Sequence, residues 1–179
     1  MERLKNVAGS DGRGSGHYDF RYDASRFCRK VFVQDAVFDE ADLVFWFDAD
    51  TVVKQAIPEA FLRKLLAGHC VTYLGRKRSY SETGFVGFNT AHEDFPMFRS
   101  RYLSYFTSGR IFEQLKGWHD CIAFDRARGG LAGNNLSPNG KDYHQVIQDS
   151  CLAQYVDHHK GNRKFRAARR DERANAGAL

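Results

Sequence analysis

The feature that most constrains the fold is a run of five apolar and aromatic residues, Leu43 to Phe47, with the sequence LVFWF. Acidic residues lie shortly before the run, and Asp48 follows it directly. A short, continuous apolar run with polar borders is typical of a β-strand that is covered on both faces. The run therefore predicts a buried strand of an α/β sheet, with the following residues at the carboxyl edge of that sheet.

Strand and helix patterns alternate around this run. The spacing of apolar residues predicts a second strand over 70–74 and helices over 24–36, 58–67, 94–106 and 142–155. Pro58 in the first turn and Gly68 after the last turn support the second of these helices. The alternation indicates an α/β fold with a mixed sheet flanked by helices in a single domain. A segment rich in Gly and Asn, 128–141, predicts one long surface loop.

Composition limits the class of protein. The 179 residues, of which 42% are hydrophobic, are enough to form one core. No apolar run is long enough to cross a bilayer, and the N-terminus lacks a signal-peptide pattern, so we expect a soluble, cytoplasmic protein without a transmembrane segment. The four cysteines are widely separated and form no CxxC pair, which indicates reduced thiols and not a disulfide scaffold.

The two ends of the chain differ from the middle in composition. Residues 1–16 are rich in Gly and polar side chains and predict a flexible tail, so the domain is expected over 17–165. Residues 166–179 predict a basic C-terminal tail. Much of the formal charge of +5 comes from basic residues after Lys160, which indicates an anionic partner. Nucleic acid is disfavoured as that partner, because no recognition motif accompanies the basic residues.

Asp48 and Asp50 form an Asp-x-Asp pair directly after the predicted strand. Open α/β sheets bind ligands beyond the carboxyl ends of their strands, so position and chemistry agree. Carboxylates suit Mg²⁺ and Mn²⁺, and either ion can neutralise a diphosphate. The structural alternative is that Asp48 caps the following turn and that Asp50 is solvated.

The whole stretch from Leu43 to Val53, LVFWFDADTVV, resembles the metal-binding DxD segment of glycosyltransferases with the GT-A fold. The resemblance implies a Rossmann-like sheet and a Mn²⁺ or Mg²⁺ site, in which Asp48 and Asp50 bind the metal and Asp48, Ala49 and Asp50 contact the diphosphate. Phosphohydrolases of the haloacid dehalogenase superfamily also place a DxD after an apolar strand. A Gly-Thr pair follows in that family, whereas here Thr51 directly follows the second aspartate.

A second motif, H-x-x-G-x-x-K, is formed by His158, Gly161 and Lys164. It resembles the closing motif of glycogenin-like and bacterial lipopolysaccharide galactosyltransferases, although the Pro-Trp that usually follows the Lys is missing. The resemblance implies that His158 binds the metal and that Gly161 and Lys164 contact the diphosphate. The residue types fit this role on their own, because neutral imidazole binds Mn²⁺ and an ammonium group suits phosphate. His159 remains an alternative metal ligand.

Two further segments resemble parts of these enzymes that line the donor sugar and the acceptor. One is the glycine-bearing segment 81–89, and the other is 117–121, Gly-Trp-His-Asp-Cys, which resembles the WHDE segment of blood-group-type galactosyltransferases. Cys121 stands where that family has Glu. The sugar or acceptor contacts implied are Glu82, Thr83, Gly84, Trp118, His119 and Asp120.

Asp120 is also the implied catalytic residue, in either a retaining or an inverting reaction. The structural alternatives place Trp118 in the core, Asp120 at the cap of a helix over 120–127, and Glu82 in an exposed position on a bulged strand. Arg26 and Lys30 lie on the helix before the DxD strand, where they either reach a diphosphate or face solvent.

These patterns together predict the metal-dependent transfer of a hexose from a nucleoside-diphosphate sugar, with a UDP-sugar as the expected donor, to a glycan or another hydroxyl acceptor. Only about forty residues precede the DxD strand, so the chain is short of the part of a GT-A domain that holds the nucleobase. A non-catalytic module that binds metal and nucleotide is the alternative, favoured by this short N-terminus and by Cys121.

Overall fold

The computed structural model describes Leu4, residues 7–140 and residues 146–159. The strands in this part of the chain are β1 (Leu43–Phe47), β2 (Thr51–Val53), β3 (Val71–Leu74), β4 (Glu82–Asn89), β5 (Gly133–Asn135) and β6 (Val156–His158). The helices are α1 (Ala24–Val37), α2 (Glu59–Leu65), α3 (Phe95–Thr107), α4 (Arg110–Gln114) and α5 (Asp120–Ala127). Three 3₁₀ turns cover Phe20–Tyr22, Val146–Asp149 and Cys151–Gln154.

Four of the strands form a mixed sheet in the order β1-β4-β3-β5. Strand β4 is antiparallel to both β1 and β3, whereas β5 is parallel to β3. The two remaining strands, β2 and β6, form a small antiparallel sheet of their own. The predicted α/β architecture, a mixed sheet flanked by helices in one small domain, is confirmed.

The two faces of the mixed sheet are covered by different elements because side chains alternate along each strand. Val86 and Phe88 of β4 lie in a large core with side chains of α1, α3 and α5. Phe85 of the same strand lies in a smaller core on the opposite face, together with Leu65 of α2 and Leu152. The helices and the C-terminal 3₁₀ turns thereby hold the sheet between them.

Strand β1 has the predicted bounds but not the predicted burial. All five of its residues are only partly buried, so the strand is less buried than predicted. The reason is its place in the sheet, since among the described strands β1 pairs with β4 alone and forms an edge. Its side chains still alternate: Val44 and Trp46 pack against the large core, and Phe45 and Phe47 against the small one.

Two other sequence predictions need correction. The helix predicted over 142–155 is replaced, in its described part, by two short 3₁₀ turns. The Ser150 hydroxyl accepts a hydrogen bond from the Leu152 amide and so begins the second turn instead of continuing a helix. The predicted loop over 128–141 contains strand β5, which pairs with β3 and extends the sheet.

The segment before His17 was predicted to be a flexible tail, and its described residues from Val7 onward form turns that pack against the domain. Leu4 and Ser10 are 1% and 3% exposed, and the Ser10 carbonyl accepts a hydrogen bond from the Ser25 amide at the start of α1. The predicted boundary at residue 165 and the basic tail over 166–179 lie outside the described residues. All four cysteines are free thiols. None of the helices in the described part of the chain has the length and apolar character needed to cross a bilayer.

Candidate functional site

The aspartate pair lies in the turn that joins the two sheets. The Asp48 amide donates to the Gly84 carbonyl at 2.8 Å, which extends the β1–β4 ladder by one bond. The chain then turns, because the Thr51 amide donates back to the Asp48 carbonyl at 2.9 Å and β2 begins. Asp48, Ala49 and Asp50 therefore lie beyond the carboxyl end of β1, as predicted.

Pairing between β2 and β6 brings a histidine to this turn from 108 residues further along the chain. The His158 Nε2 atom lies 2.7 Å from Asp50 Oδ1, and the His159 amide donates to the Asp50 carbonyl at 2.9 Å. One donor atom each from Asp48, Asp50 and His158 lie within 4.8 Å of one another. The His159 ring is instead 3.5 Å from Asp157, so of the two histidines it is His158 that joins the aspartates.

Gly84 leaves room for the His158 ring. A Cβ at this position would lie 2.3 Å from the Cε1 atom of His158 and 2.6 Å from its Nδ1 atom, far closer than van der Waals contact. Glu82 lies behind the same ring, with Oε1 4.0 Å from the His158 Nδ1 atom, and it also forms an ion pair with Arg76. Gly84 therefore contacts the histidine and does not line the cavity.

Lys30 connects the aspartate turn to the start of α5. Its ammonium lies 2.8 Å from Asp48 Oδ1 and 3.0 Å from Asp120 Oδ2, and it donates to the Thr83 carbonyl at 2.6 Å. Burial opposes the charge on this ammonium, but the two carboxylates outweigh burial and hold the pKa of Lys30 above its ordinary value. The Trp46 indole also donates to Asp48 Oδ1 at 2.8 Å.

Asp120 is buried at the first position of α5, with 1% of its surface exposed. It accepts a hydrogen bond from the Thr83 hydroxyl at 2.6 Å. Burial disfavours its negative charge, but Lys30 and the Thr83 hydroxyl together keep the pKa of Asp120 below its ordinary value. A buried carboxylate is thus kept ionised beside an ammonium group, an arrangement that is common at functional sites.

The residues before and after Asp120 in the chain, His119 and Cys121, have neutral side chains. The His119 ring lies among the rings of Phe20, Phe27 and Tyr80, with centroid distances of 6.4, 6.0 and 5.7 Å, and burial lowers the pKa of His119. The Cys121 sulfur is 3.1 Å from the Thr83 hydroxyl, and burial raises the pKa of the Cys121 thiol to about 11.

Trp118 lies away from these groups. Its ring packs edge-on against Phe112, with a centroid distance of 4.9 Å, and against Tyr22 at 5.3 Å. It contacts the large core and does not line the cavity. For this residue the structure agrees with the core alternative and not with a sugar contact.

One cavity of about 1060 Å³ is lined by most of the predicted site residues. Those that line it are Asp48, Ala49, Asp50, Glu82, Thr83, His119 and Asp120, together with Arg26 and Lys30. Gly161 and Lys164 lie outside the described residues. The volume is near the upper end of the usual range for small-molecule sites, roughly 300–1,000 Å³.

Several lining residues were not predicted from the sequence. Arg21 and Arg76 line the cavity as ion pairs with Asp19 and Glu82, and Phe20, Phe27 and Tyr80 add aromatic surface. The position of Arg76, two residues after the end of β3, is a signal that sequence reasoning could have used, because ligands bind beyond strand ends. The aromatic residues carry no such signal, since Phe27 falls on the apolar face of a helix.

Comparison of the chain with models of protein families, with curated proteins and with solved structures gives no match. Function is therefore inferred from the sequence motifs and from the geometry of the cavity.

Proposed function

We propose that this protein is a metal-dependent glycosyltransferase that transfers a hexose from a nucleoside-diphosphate sugar, with UDP-sugar as the expected donor, to a hydroxyl group of a glycan or other acceptor. The observation that carries the proposal is the convergence of Asp48, Asp50 and His158 beside a large cavity that Asp120 also lines. The order of these residues along the chain matches the motif order of the resembled enzymes.

The donor set of this cluster fits a divalent cation. Two carboxylates and one imidazole favour Mn²⁺ over Mg²⁺, because Mg²⁺ is bound almost entirely through oxygen. The Glu82 carboxylate lies 4.0 Å from the second ring nitrogen of His158. When bound, the ion would supply positive charge to the leaving diphosphate. Arg26 lines the same cavity and would add to that charge, whereas Arg21 and Arg76, which also line it, are paired with Asp19 and Glu82.

Asp120 is the residue assigned to the chemistry at the sugar. A carboxylate whose pKa is held below its ordinary value is a weak base, so it is poorly suited to removing a proton from the acceptor hydroxyl. It is better suited to stabilising positive charge that develops at the anomeric carbon. Lys30 holds this carboxylate and Asp48 in fixed positions through contacts of 3.0 and 2.8 Å, and therefore acts as a positioning residue.

The first test is calorimetric titration of the protein with UDP in the presence and absence of Mn²⁺. We expect binding that depends on the metal and weakens at least tenfold in Asp50→Asn and His158→Gln, while His159→Gln, the matched control, binds like the wild type. A folded wild type that does not bind UDP with Mn²⁺ would contradict the proposal.

The second test measures release of UDP from UDP-glucose and UDP-galactose with a panel of glycan acceptors. We expect sugar transfer in the wild type and its loss in Asp120→Asn with UDP binding retained. Metal-dependent binding without transfer would identify the non-catalytic module, which the neutral Cys121 in place of a Glu favours. Hydrolysis of a phosphomonoester would instead identify the phosphohydrolase alternative.

A further inference from the structure

A second cluster of potential metal ligands lies in the same cavity, at the start of α5. It consists of His119, Asp120 and Cys121, and one donor atom from each lies within 4.8 Å of the others. The donors are a nitrogen, an oxygen and a sulfur, a set that Zn²⁺ binds in proteins and that Mn²⁺ and Mg²⁺ do not favour. We propose that these three residues form a zinc site that is separate from the cluster of Asp48, Asp50 and His158.

One oxygen of the Asp120 carboxylate is directed toward the Cys121 sulfur. Lys30 and the Thr83 hydroxyl both contact Oδ2, at 3.0 and 2.6 Å. Oδ1 faces the Cys121 sulfur at 3.8 Å. The contacts to Oδ2 fix the orientation of the carboxylate, as outer-shell hydrogen bonds do for metal ligands, and leave Oδ1 to bind the ion.

The His119 imidazole is available as a ligand in its neutral form. Among the described residues, none forms a hydrogen bond with its ring nitrogens, although three aromatic rings surround it. The neutral imidazole is the form that coordinates metals. A histidine ring that is held by apolar neighbours and lines a polar cavity is well placed to bind an ion entering that cavity.

Cys121 is a thiol in the metal-free protein and becomes a thiolate on binding zinc. A Zn–S bond forms, the S–H bond breaks, and the proton is released to solvent. The formal charge of the surrounding groups supports this exchange. Asp48, Asp120 and Lys30 sum to −1, and the gain of Zn²⁺ with the loss of one proton brings that sum to zero. The positive charge of Lys30 therefore does not preclude the ion.

Three protein ligands leave a fourth tetrahedral position on zinc open to water or to a bound ligand. Because Asp120 is shared, zinc at this site would remove the carboxylate from its role in sugar transfer. Zinc is therefore expected to inhibit the activity, and this consequence alone depends on the proposed function. Binding of zinc itself does not depend on it.

The experiment uses Co²⁺ as a spectroscopic substitute for zinc, on the reduced, tag-free chain. We expect one equivalent of Co²⁺ to produce a thiolate-to-cobalt charge-transfer band in the near ultraviolet, and one equivalent of Zn²⁺ to remove it. The band should disappear in Cys121→Ser and persist in Cys151→Ser, the matched control, whose cysteine is exposed. It should also persist in Asp50→Asn, because that variant alters only the other cluster.

Zinc affinity, measured by displacement of Co²⁺, gives a second readout. Loss of an outer-shell partner alone costs about 10–100-fold in metal affinity, so His119→Gln should weaken zinc binding by at least about tenfold. A folded wild type without the charge-transfer band, or a band that persists in Cys121→Ser, would overturn the proposal. Absence of UDP binding with the cobalt band present would refute the glycosyltransferase and leave the zinc site standing.

Discussion

The two ligand clusters of the cavity are built in opposite ways. Asp50 and His158 are 108 residues apart and meet only because β2 pairs with β6, whereas the second cluster consists of three consecutive residues at the start of α5. The first offers oxygen and nitrogen, and the second adds sulfur. Asp48 has 33% of its side chain exposed, but Asp120 only 2%. The geometry of the first cluster should therefore depend on the pairing of β2 with β6, and that of the second on the local geometry of α5 and on burial.

Lys30 is the physical link between the two clusters, and its loss should have the largest effect. Lys30→Met leaves the buried carboxylate of Asp120 without its ammonium partner, and breaking a buried pair in this way costs about 3–5 kcal/mol. We expect the free energy of unfolding, measured with urea, to fall by about 3 kcal/mol. Lys30→Met combined with Asp120→Asn should recover part of the loss. If Lys30→Met lowers the free energy of unfolding by less than about 1 kcal/mol, the contact between Lys30 and Asp120 does not stabilise the fold.

Gly84→Ala should distinguish the two clusters, because it should weaken metal binding at the first cluster only. The new Cβ would lie 2.3 Å from His158 Cε1, so the ring must move, and overpacking of this kind costs about 1–3 kcal/mol. We expect Mn²⁺ binding, followed by electron paramagnetic resonance, to weaken at least tenfold while the cobalt–thiolate band is retained. Gly129→Ala is the matched control, since its Cβ would meet no atom closer than 3.4 Å. Equal loss of both metals would contradict the independence of the clusters.

The difference between the clusters also explains what the sequence could predict. The bounds of β1 and α1 follow from the spacing of nearby apolar residues, which is a local signal, and both were predicted closely. The edge position of β1 depends on which strands pair, and no local pattern encodes that. The contact of His158 with Asp50 was reached through a family resemblance, because strands of three residues such as β2 and β6 are too short to predict by pattern.

The role of single residues within the site was harder to predict than the position of the site. Gly84 and Trp118 belong to segments that do border the cavity, yet one makes room for a histidine and the other packs against aromatic rings. Thr83, next to Gly84, and His119, next to Trp118, line the cavity. A sequence motif thus indicates the segment, whereas the direction of each side chain depends on the sheet register and on the start of the helix.

Trp118→Phe tests whether Trp118, which directly precedes the second cluster, takes part in binding. Because Trp118 packs on Phe112 and Tyr22 and does not line the cavity, we expect UDP and zinc affinities to change less than about twofold. The free energy of unfolding should fall by about 1 kcal/mol through lost ring contact. A large loss of UDP affinity at unchanged stability would instead support the sugar contact implied by the family resemblance.

The smallest expected effect is a pH dependence of stability that belongs to the second cluster alone. Burial lowers the pKa of His119 in the folded protein below its ordinary value of 6.5, so below that pH the unfolded chain binds more protons than the folded one. Stability is therefore fully present above pH 6.5 and is lost as the pH falls toward the folded-state pKa.

We expect urea denaturation to show lower stability at pH 5.5 than at pH 7.5, and His119→Gln to reduce this difference, because glutamine does not titrate. His159→Gln is the control, since it removes a histidine whose ring lies beside Asp157 and outside this cluster. An unchanged pH difference in His119→Gln would mean that the imidazole is not held neutral by its aromatic neighbours.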